Sequence, residues 1–280
     1  MADRNTILVT GATGRVGGSA VARLAGTGAA VRALTRNPGA ARLPAEVVGG
    51  DLADPDSLDA ALDGVGAVLL VFPTLAADHA ADALIAKLAE QGRRIVYLSA
   101  AGVEEATDGI LASHARVEAL LERSGAEWTF LRAGGFAANT LMWADQIRAG
   151  DVVRGFHGAA SRALIHEDDI AAVAVRALID DGHAGGKYHL TGPARLTQVE
   201  QVEAIGAALG RELRFEELPP EVAVRELFPG FDEEIARGIV DAHAAMVEHP
   251  EPITTTVERI TGAPARTFQR WAVDHAGDFR

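Results

Sequence analysis

The sequence predicts an α/β fold: an open, doubly wound parallel sheet with a small C-terminal lobe. Three observations carry that reading. Short apolar runs alternate with helical patterns through the first 135 residues or so, which is the mark of βαβ units. Four of the runs are continuous rather than alternating, "TILVT" and "AVLLVF" among them, as strands covered by helices on both faces require. A glycine-rich turn, "TGATGRVGG", joins the first run to the first helical pattern, and open parallel sheets bind ligands at the carboxyl ends of their strands.

The elements follow in order. Strands are expected at 6–10, 29–36, 45–51, 67–72, 93–100 and 127–133. Between them lie the helices "GGSAVARLAGTG", stopped by Gly28, "SLDAALDGV", capped by Asp56 or Ser57, and "AADALIAKLAEQG". The helix "SHARVEALLERSG", residues 113–125, has Ser113 as its candidate cap. After about residue 135 the rhythm changes. "AANTLMWADQIRAG" reads as a helix, "ALIHEDDIAAVAVRALID" as a strand or turn feeding another, and "GKYHLTGP" as one more strand. In "LTQVEQVEAIGAALGR", Thr197 caps a helix and Glu200 holds the capping-box position. "ELRFEELP" is a short strand, and the stretch beyond it is helical, broken by Pro229 and Pro250. Residues 1–135 are thus expected to form the nucleotide-binding core. Residues 136–280 would supply its remaining elements, at about 160–192, and a smaller substrate lobe, all in effectively one compact unit.

Composition bounds the function. The 280 residues are 48% hydrophobic and 23% charged, ordinary for a globular protein. A formal net charge of -13 argues against nucleic-acid or anionic-membrane partners, which reward clustered Lys and Arg. With no cysteine, disulfides, iron–sulfur clusters and thiol nucleophiles are excluded. The N-terminus runs straight into a strand and no stretch is apolar enough to span a bilayer, so the expected location is cytoplasmic. Whether the chain is a monomer or a homodimer stays open.

In the glycine turn, Gly11, Gly14 and Gly17 stand at three-residue spacing, with Thr13, Arg15 and Val16 between them. The first glycine permits a tight turn, the second lets backbone approach a diphosphate, and the third lets helix pack on strand. The helix N-terminus then offers unpaired N–H groups to the phosphates. The end of the second strand decides the nucleotide. An acid that would hold a ribose 2′-OH is missing there; Thr35 stands in its place and Arg36 follows. An arginine can pair with a 2′-phosphate, which favours NADPH over NADH. Arg15 is a second phosphate candidate. Asp51, followed by Leu52 in "GGDL", could accept from the adenine amino group or simply cap a turn.

Beyond these residues the chain resembles the short-chain dehydrogenase/reductase superfamily, and within it the atypical NmrA-like group with its NAD(P)H:quinone-oxidoreductase-like proteins. The matching stretches are "ILVTGATGRVG", "GDLADPDSL", "RIVYLSAAG", "SHARVEALLERSGAEWTFLRAGGFAAN", "IHEDDIAAVAVRAL" and "LTGPARLTQVEQVEAIGAALGR". The resemblance implies a Rossmann core with a small lobe closing a substrate cleft. It implies that Phe72, Pro73 and Thr74 line the cofactor, and that Ala133 to Asn139 lie between nicotinamide and substrate. One feature departs from the superfamily. Its reductases carry Tyr-x-x-x-Lys on the helix after the fifth strand, whereas here Tyr97 is followed four residues on by Ala101, and Tyr188 by Gly192. On the corresponding helix stand His114 and Glu118, at the i,i+4 spacing that places them on one face. They are the candidate catalytic pair: a carboxylate there would favour the imidazolium and keep a proton available near neutral pH; alternatively His114 covers the core margin and Glu118 is solvated.

Ser99, at the end of the fifth strand, is a candidate hydrogen-bonder of substrate or nicotinamide. His157 is a weaker cleft candidate. His166 with Glu167, Asp168 and Asp169 has a metal-like composition, but Asp168 or Asp169 is better read as a helix cap, and no metal site is expected. The expected function is NADPH-dependent reduction of a small hydrophobic acceptor, such as a quinone, an enone or an aromatic metabolite. Such acceptors take hydride without a strong protein acid. Phe136, Asn139, Met142 and Trp143 are the candidate substrate contacts, with Leu141 adding to the apolar lining. The alternative is a non-catalytic NADP(H)-binding redox sensor acting on a partner protein.

Overall fold

A computed structural model describes residues 3–72 and 78–280. The chain divides into two compact units. Met1–Ala133, Glu167–Leu190 and Thr256–Ala263 form the first; Gly134–His166, Thr191–Thr255 and Pro264–Arg280 form the second. The chain therefore returns to the first unit twice, where the sequence points to a single return at about 160–192.

The first unit is built on seven strands. They are β1 (Asp3–Val9), β2 (Ala30–Thr35), β3 (Glu46–Gly49), β4 (Val65–Leu70), β5 (Arg94–Ala100), β6 (Glu127–Ala133) and β7 (Gly186–Leu190), in the spatial order β3-β2-β1-β4-β5-β6-β7. Every pairing is parallel. All six residues of β4 are buried, so its unbroken apolar run reflects cover on both faces. The helices are α1 (Arg15–Leu24), α2 (Asp59–Leu62), α3 (Ala81–Ala89), α4 (Gly109–Arg123), α5 (Glu167–Ile179) and α6 (Thr256–Thr261). Leu58, Leu62, Leu84, Leu88, Val117 and Leu121 pack with Leu8, Val68, Leu70 and Ile95 in one core cluster. On α5, Asp168 accepts from Ser19 of α1 at 2.6 Å. It thus ties two helices together.

After β3 the chain crosses to the far side of β1, so β1 and β4 flank the point where strand order reverses. Such a switch point leaves a crevice at the strands' carboxyl ends. Here Thr10 closes its floor: the hydroxyl donates to the Val71 carbonyl at 2.9 Å and accepts from the Val71 N–H at 2.8 Å. The expected strands recur with ends shifted by a few residues, and 127–133 is reproduced in full. Two helices differ. The helix expected from Ser113 starts at Gly109, and Ser113 is buried on it rather than capping it. Ahead of α2 lies a 3-10 turn, Pro55–Leu58, whose N-cap position is Asp54; the Ser57 hydroxyl instead serves the Asp51 and Asp54 backbone.

In the second unit, helix Gln198–Leu209 carries the expected capping box between Thr197 and Glu200. The helix expected at 137–150 is a 3-10 stretch, Ala137–Trp143, running into helix Ala144–Ala149. Strand Val152–Gly155 pairs in parallel with Arg214–Glu217, the strand expected from "ELRFEELP". Trp271, Phe268, Trp143, Ile147, Val202 and Ile205 share one core cluster. A second forms around Phe156, Leu218, Val224 and Val240. No helix among the described residues is long and apolar enough to cross a membrane.

Candidate functional site

At the carboxyl end of β1 the three glycines have separable physical roles. Gly11 has φ +58, the left-handed region, and a Cβ there would press on Val71 at 3.1 Å. Gly14 is the N-cap of α1 and offers no side-chain cap, so the first N–H groups of a ten-residue helix are left to an anion. A Cβ on Gly17 would lie 2.2 Å from the Gly11 carbonyl oxygen. The helix thus leaves the turn with backbone against backbone. Gly11, Thr13, Gly14 and Arg15 are exposed, while Ala12, Val16 and Gly17 are buried. An open rim on a rigid floor, with a helix end aimed across it, fits a dinucleotide diphosphate.

Arg36 is exposed, one residue beyond β2. Behind it the Thr35 hydroxyl accepts from the Asn37 N–H at 3.2 Å, which shapes the turn that presents the guanidinium. One oxygen of half-buried Asp51 accepts from the Ala53 N–H at 3.0 Å. Leu52 and Phe72 are both buried in the core cluster. Pro73 and Thr74 lie outside the described residues.

The β5–α4 contact is where the structure departs from the expected pairing. Register places Ser99 beside Arg132 and Tyr97 beside Phe130, and neighbours in a parallel ladder share a face. Arg132 donates to both oxygens of Glu118, at 3.0 and 2.6 Å, and Ser99 donates to one of them at 2.6 Å. Arg132 also reaches Glu104, which in turn lies 3.5 Å from His189. Glu118 and Arg132 are only 4% and 5% exposed, so each depends on the other for charge compensation. Burial pushes the Glu118 carboxyl up, against the Ser99 hydroxyl and the Lys187 charge; the bidentate guanidinium holds it as a carboxylate.

His114 makes a different contact. Its Nδ1 lies 2.6 Å from the Tyr97 hydroxyl. Burial pushes the imidazole down to about 4 and the Tyr97 phenol far above its ordinary value, helped by the charges of Glu118 and Asp78. The expectation that Glu118 keeps His114 protonated is therefore corrected. Both carboxylate oxygens are turned to Arg132 and Ser99, and the ring at this depth is neutral.

Residues 3–266 match the family model of the NmrA-like family. It belongs to that family. This NmrA-like protein is 40% identical to a (4-alkanoyl-5-oxo-2,5-dihydrofuran-3-yl)methyl phosphate reductase of Streptomyces griseus, over 98% of the chain and 99% of the relative. It is 32% identical to an NAD(P)H azoreductase of Xenophilus azovorans, again over 98% and 99%. Among solved structures, an NADPH-dependent quinone oxidoreductase from Escherichia coli superposes with a TM-score of 0.80 at 25% identity, covering 96% of this chain and 98% of that one.

The expected substrate contacts of the NmrA-like chain fall in the second unit, and they differ among themselves. Phe136 is half-buried, with its backbone bridged to Ile165. Asn139 is exposed and Met142 is 49% exposed. Trp143 is 3% exposed and packs in the core with Ile147 and Trp271, a setting that leaves it little surface for a ligand. Ser99 is likewise committed, to Glu118. His157 has a left-handed φ of 46. Arg132, Glu104 and Thr10 are not among the residues the sequence singles out, and Tyr97 enters there only as a tyrosine without the lysine four residues on. Arg132 did leave a signal: an arginine one residue before the end of a buried strand needs an acid nearby, and Glu118 is the acid on the facing helix.

Proposed function

We propose that this NmrA-like protein is an NADPH-dependent reductase of a conjugated, largely hydrophobic acceptor: a quinone, an enone or an aromatic-metabolite intermediate. One observation carries the reading. The helix that presents the superfamily's tyrosine and lysine here presents a neutral His114 bonded to a buried phenol, with no strong acid to protonate an alkoxide. Bound at the glycine turn, NADPH supplies hydride. A conjugated acceptor spreads the resulting negative charge onto its carbonyl oxygen, and solvent can complete the protonation. A simple ketone gains a localised alkoxide instead and would want an acid. The names of the relatives agree in chemistry: a dihydrofuranone, an azo group and a quinone are all electron-poor π systems.

Each residue then has a task. Gly11, Gly14 and Gly17, with the backbone at Thr13, Arg15 and Val16, hold the diphosphate. Arg36 pairs with the 2′-phosphate, while Asp51 and Leu52 flank the adenine and Phe72 the ring beyond it. His114 offers a hydrogen bond at the reacting end. Glu118 anchors α4 to β5 and β6 through Ser99 and Arg132. Within the second unit, Phe136, Asn139 and Met142 are the candidate apolar and polar contacts for a substrate.

The test is to mix the purified protein with NADPH and a panel of quinones, enones and unconjugated ketones, following absorbance of the reduced cofactor. Oxidation should appear with conjugated acceptors and not with simple ketones. Tight NADPH binding without turnover on any acceptor would replace this reading with that of a redox sensor.

A further inference from the structure

Tyr97 sits in the middle of β5 and is fully buried. Its ring is held edge-on by Phe130, centroids 6.3 Å apart, and its hydroxyl meets Nδ1 of His114 at 2.6 Å. The two rings are tilted by 39°, so the contact is a hydrogen bond between ring edges rather than a stack. A phenol this deep keeps its proton throughout the accessible pH range. Among the described residues the hydroxyl has no other hydrogen-bond partner, so a donating Nδ1 would leave the buried phenol proton unsatisfied; the phenol is therefore the donor and Nδ1 the acceptor. An imidazole that accepts at Nδ1 and is neutral carries its proton on Nε2. Nothing else on the helix competes for the ring, because Glu118 is held by Arg132 and Ser99. His114 is half-buried, and among the described residues no group hydrogen-bonds its Nε2.

We propose that Tyr97 is a positioning residue: it holds His114 in the Nε2–H tautomer, so that the ring presents a fixed neutral N–H donor to the carbonyl oxygen of the acceptor. Assigning that oxygen to a conjugated acceptor rests on the reductase reading above; the tautomer does not. The donor gives up no proton. It stabilises the oxygen that gains charge as hydride reaches the acceptor carbon, and water delivers the proton that completes the product. Preorganised neutral donors aimed at developing charge are effective because they need no reorganisation during the reaction. A ring free to exchange tautomers would present a lone pair to that oxygen part of the time, which is repulsive.

The experiment is a long-range proton–nitrogen correlation spectrum of protein labelled with nitrogen-15 in histidine, near pH 7. His114 is assigned by its loss in His114→Gln. The wild-type ring should show an unprotonated Nδ1 and a protonated Nε2, and Tyr97→Phe should give a mixture of tautomers. With the best acceptor, Tyr97→Phe should lower kcat by about three- to tenfold, the worth of one hydrogen bond, with the NADPH dissociation constant unchanged. His114→Gln, which keeps an N–H donor, should retain more turnover than His114→Ala. A wild-type ring protonated on Nδ1 would overturn the proposal without any variant. So would a Tyr97→Phe protein that melts like wild type, keeps the pure Nε2–H tautomer and has unchanged kcat. A wild-type protein that shows the Nε2–H tautomer, loses it in Tyr97→Phe, and reduces no acceptor would uphold Tyr97 as the positioning group and remove the reductase reading separately.

Discussion

Arg36 and Arg132 are both arginines at strand ends, yet they do opposite work. Arg132 lies in the sheet interior, its guanidinium consumed by Glu118 and Glu104. It holds α4 in place, and removing it would strand a buried carboxylate. Arg36 is exposed beyond β2, where an acid would select a ribose hydroxyl. Arg36→Ala should weaken NADPH by about 10- to 100-fold, the worth of a charge-assisted pair, while changing NADH by less than about threefold. Fluorescence titration of both cofactors decides it. Equal weakening would remove Arg36 from the 2′-phosphate.

At the scale of elements, legibility followed from how local the cause is. The glycine turn, the strand run at 127–133 and the Thr197/Glu200 capping box are set by residues within a few positions of one another, and each was readable. The start of α4 was not. Four residues before Ser113, Gly109 takes φ +64 and the helix begins there, because Ser113 and Val117 are wanted in the core. The partners of His114 and Glu118 were also illegible, since sheet register brings Tyr97, Ser99 and Arg132 to them from 14 to 19 residues away. The i,i+4 spacing put the pair on one face, as read, but the neighbouring strands outcompeted the pair for its own polar atoms. The glycine turn gives a sharp contrast between adjacent positions. Gly17→Ala would force a Cβ to 2.2 Å from a backbone oxygen, whereas at Gly18 the nearest atom is an ordinary 3.4 Å away. Gly17→Ala should therefore cost about 1–3 kcal/mol in urea unfolding and abolish tight NADPH binding. Gly18→Ala should be neutral or stabilising by about 0.5–1 kcal/mol. Equal behaviour of the two would show that α1 can back away from the turn.

Over the whole molecule, four half-buried histidines share one direction. Burial lowers His114 to about 4, and burial is also the first cause of the lowering at His183, His189 and His243. The unfolded chain binds these protons near pH 6.5, before the folded chain does. Between those two values the unfolded state therefore holds more protons, and stability rises with pH. The contribution is complete above about pH 6.5 and is lost as pH falls toward 4. For His114 alone it amounts to at most about 3 kcal/mol, less where the ring keeps some solvent. Glu118 opposes it, since a raised carboxyl relieves a buried charge as pH falls. The formal net charge of -13 opposes it too, because acid reduces self-repulsion. One carboxyl and a diffuse repulsion stand against four rings, so the histidines should win. Urea midpoints should drop steadily from pH 6.5 to 4 at constant m-value, and His114→Gln should flatten part of that slope. A His114→Gln midpoint that falls with pH as steeply as that of wild type would mean that the folded His114 ring accepts its proton as readily as the unfolded one. The neutral ring on which the donor role of His114 depends would then be lost.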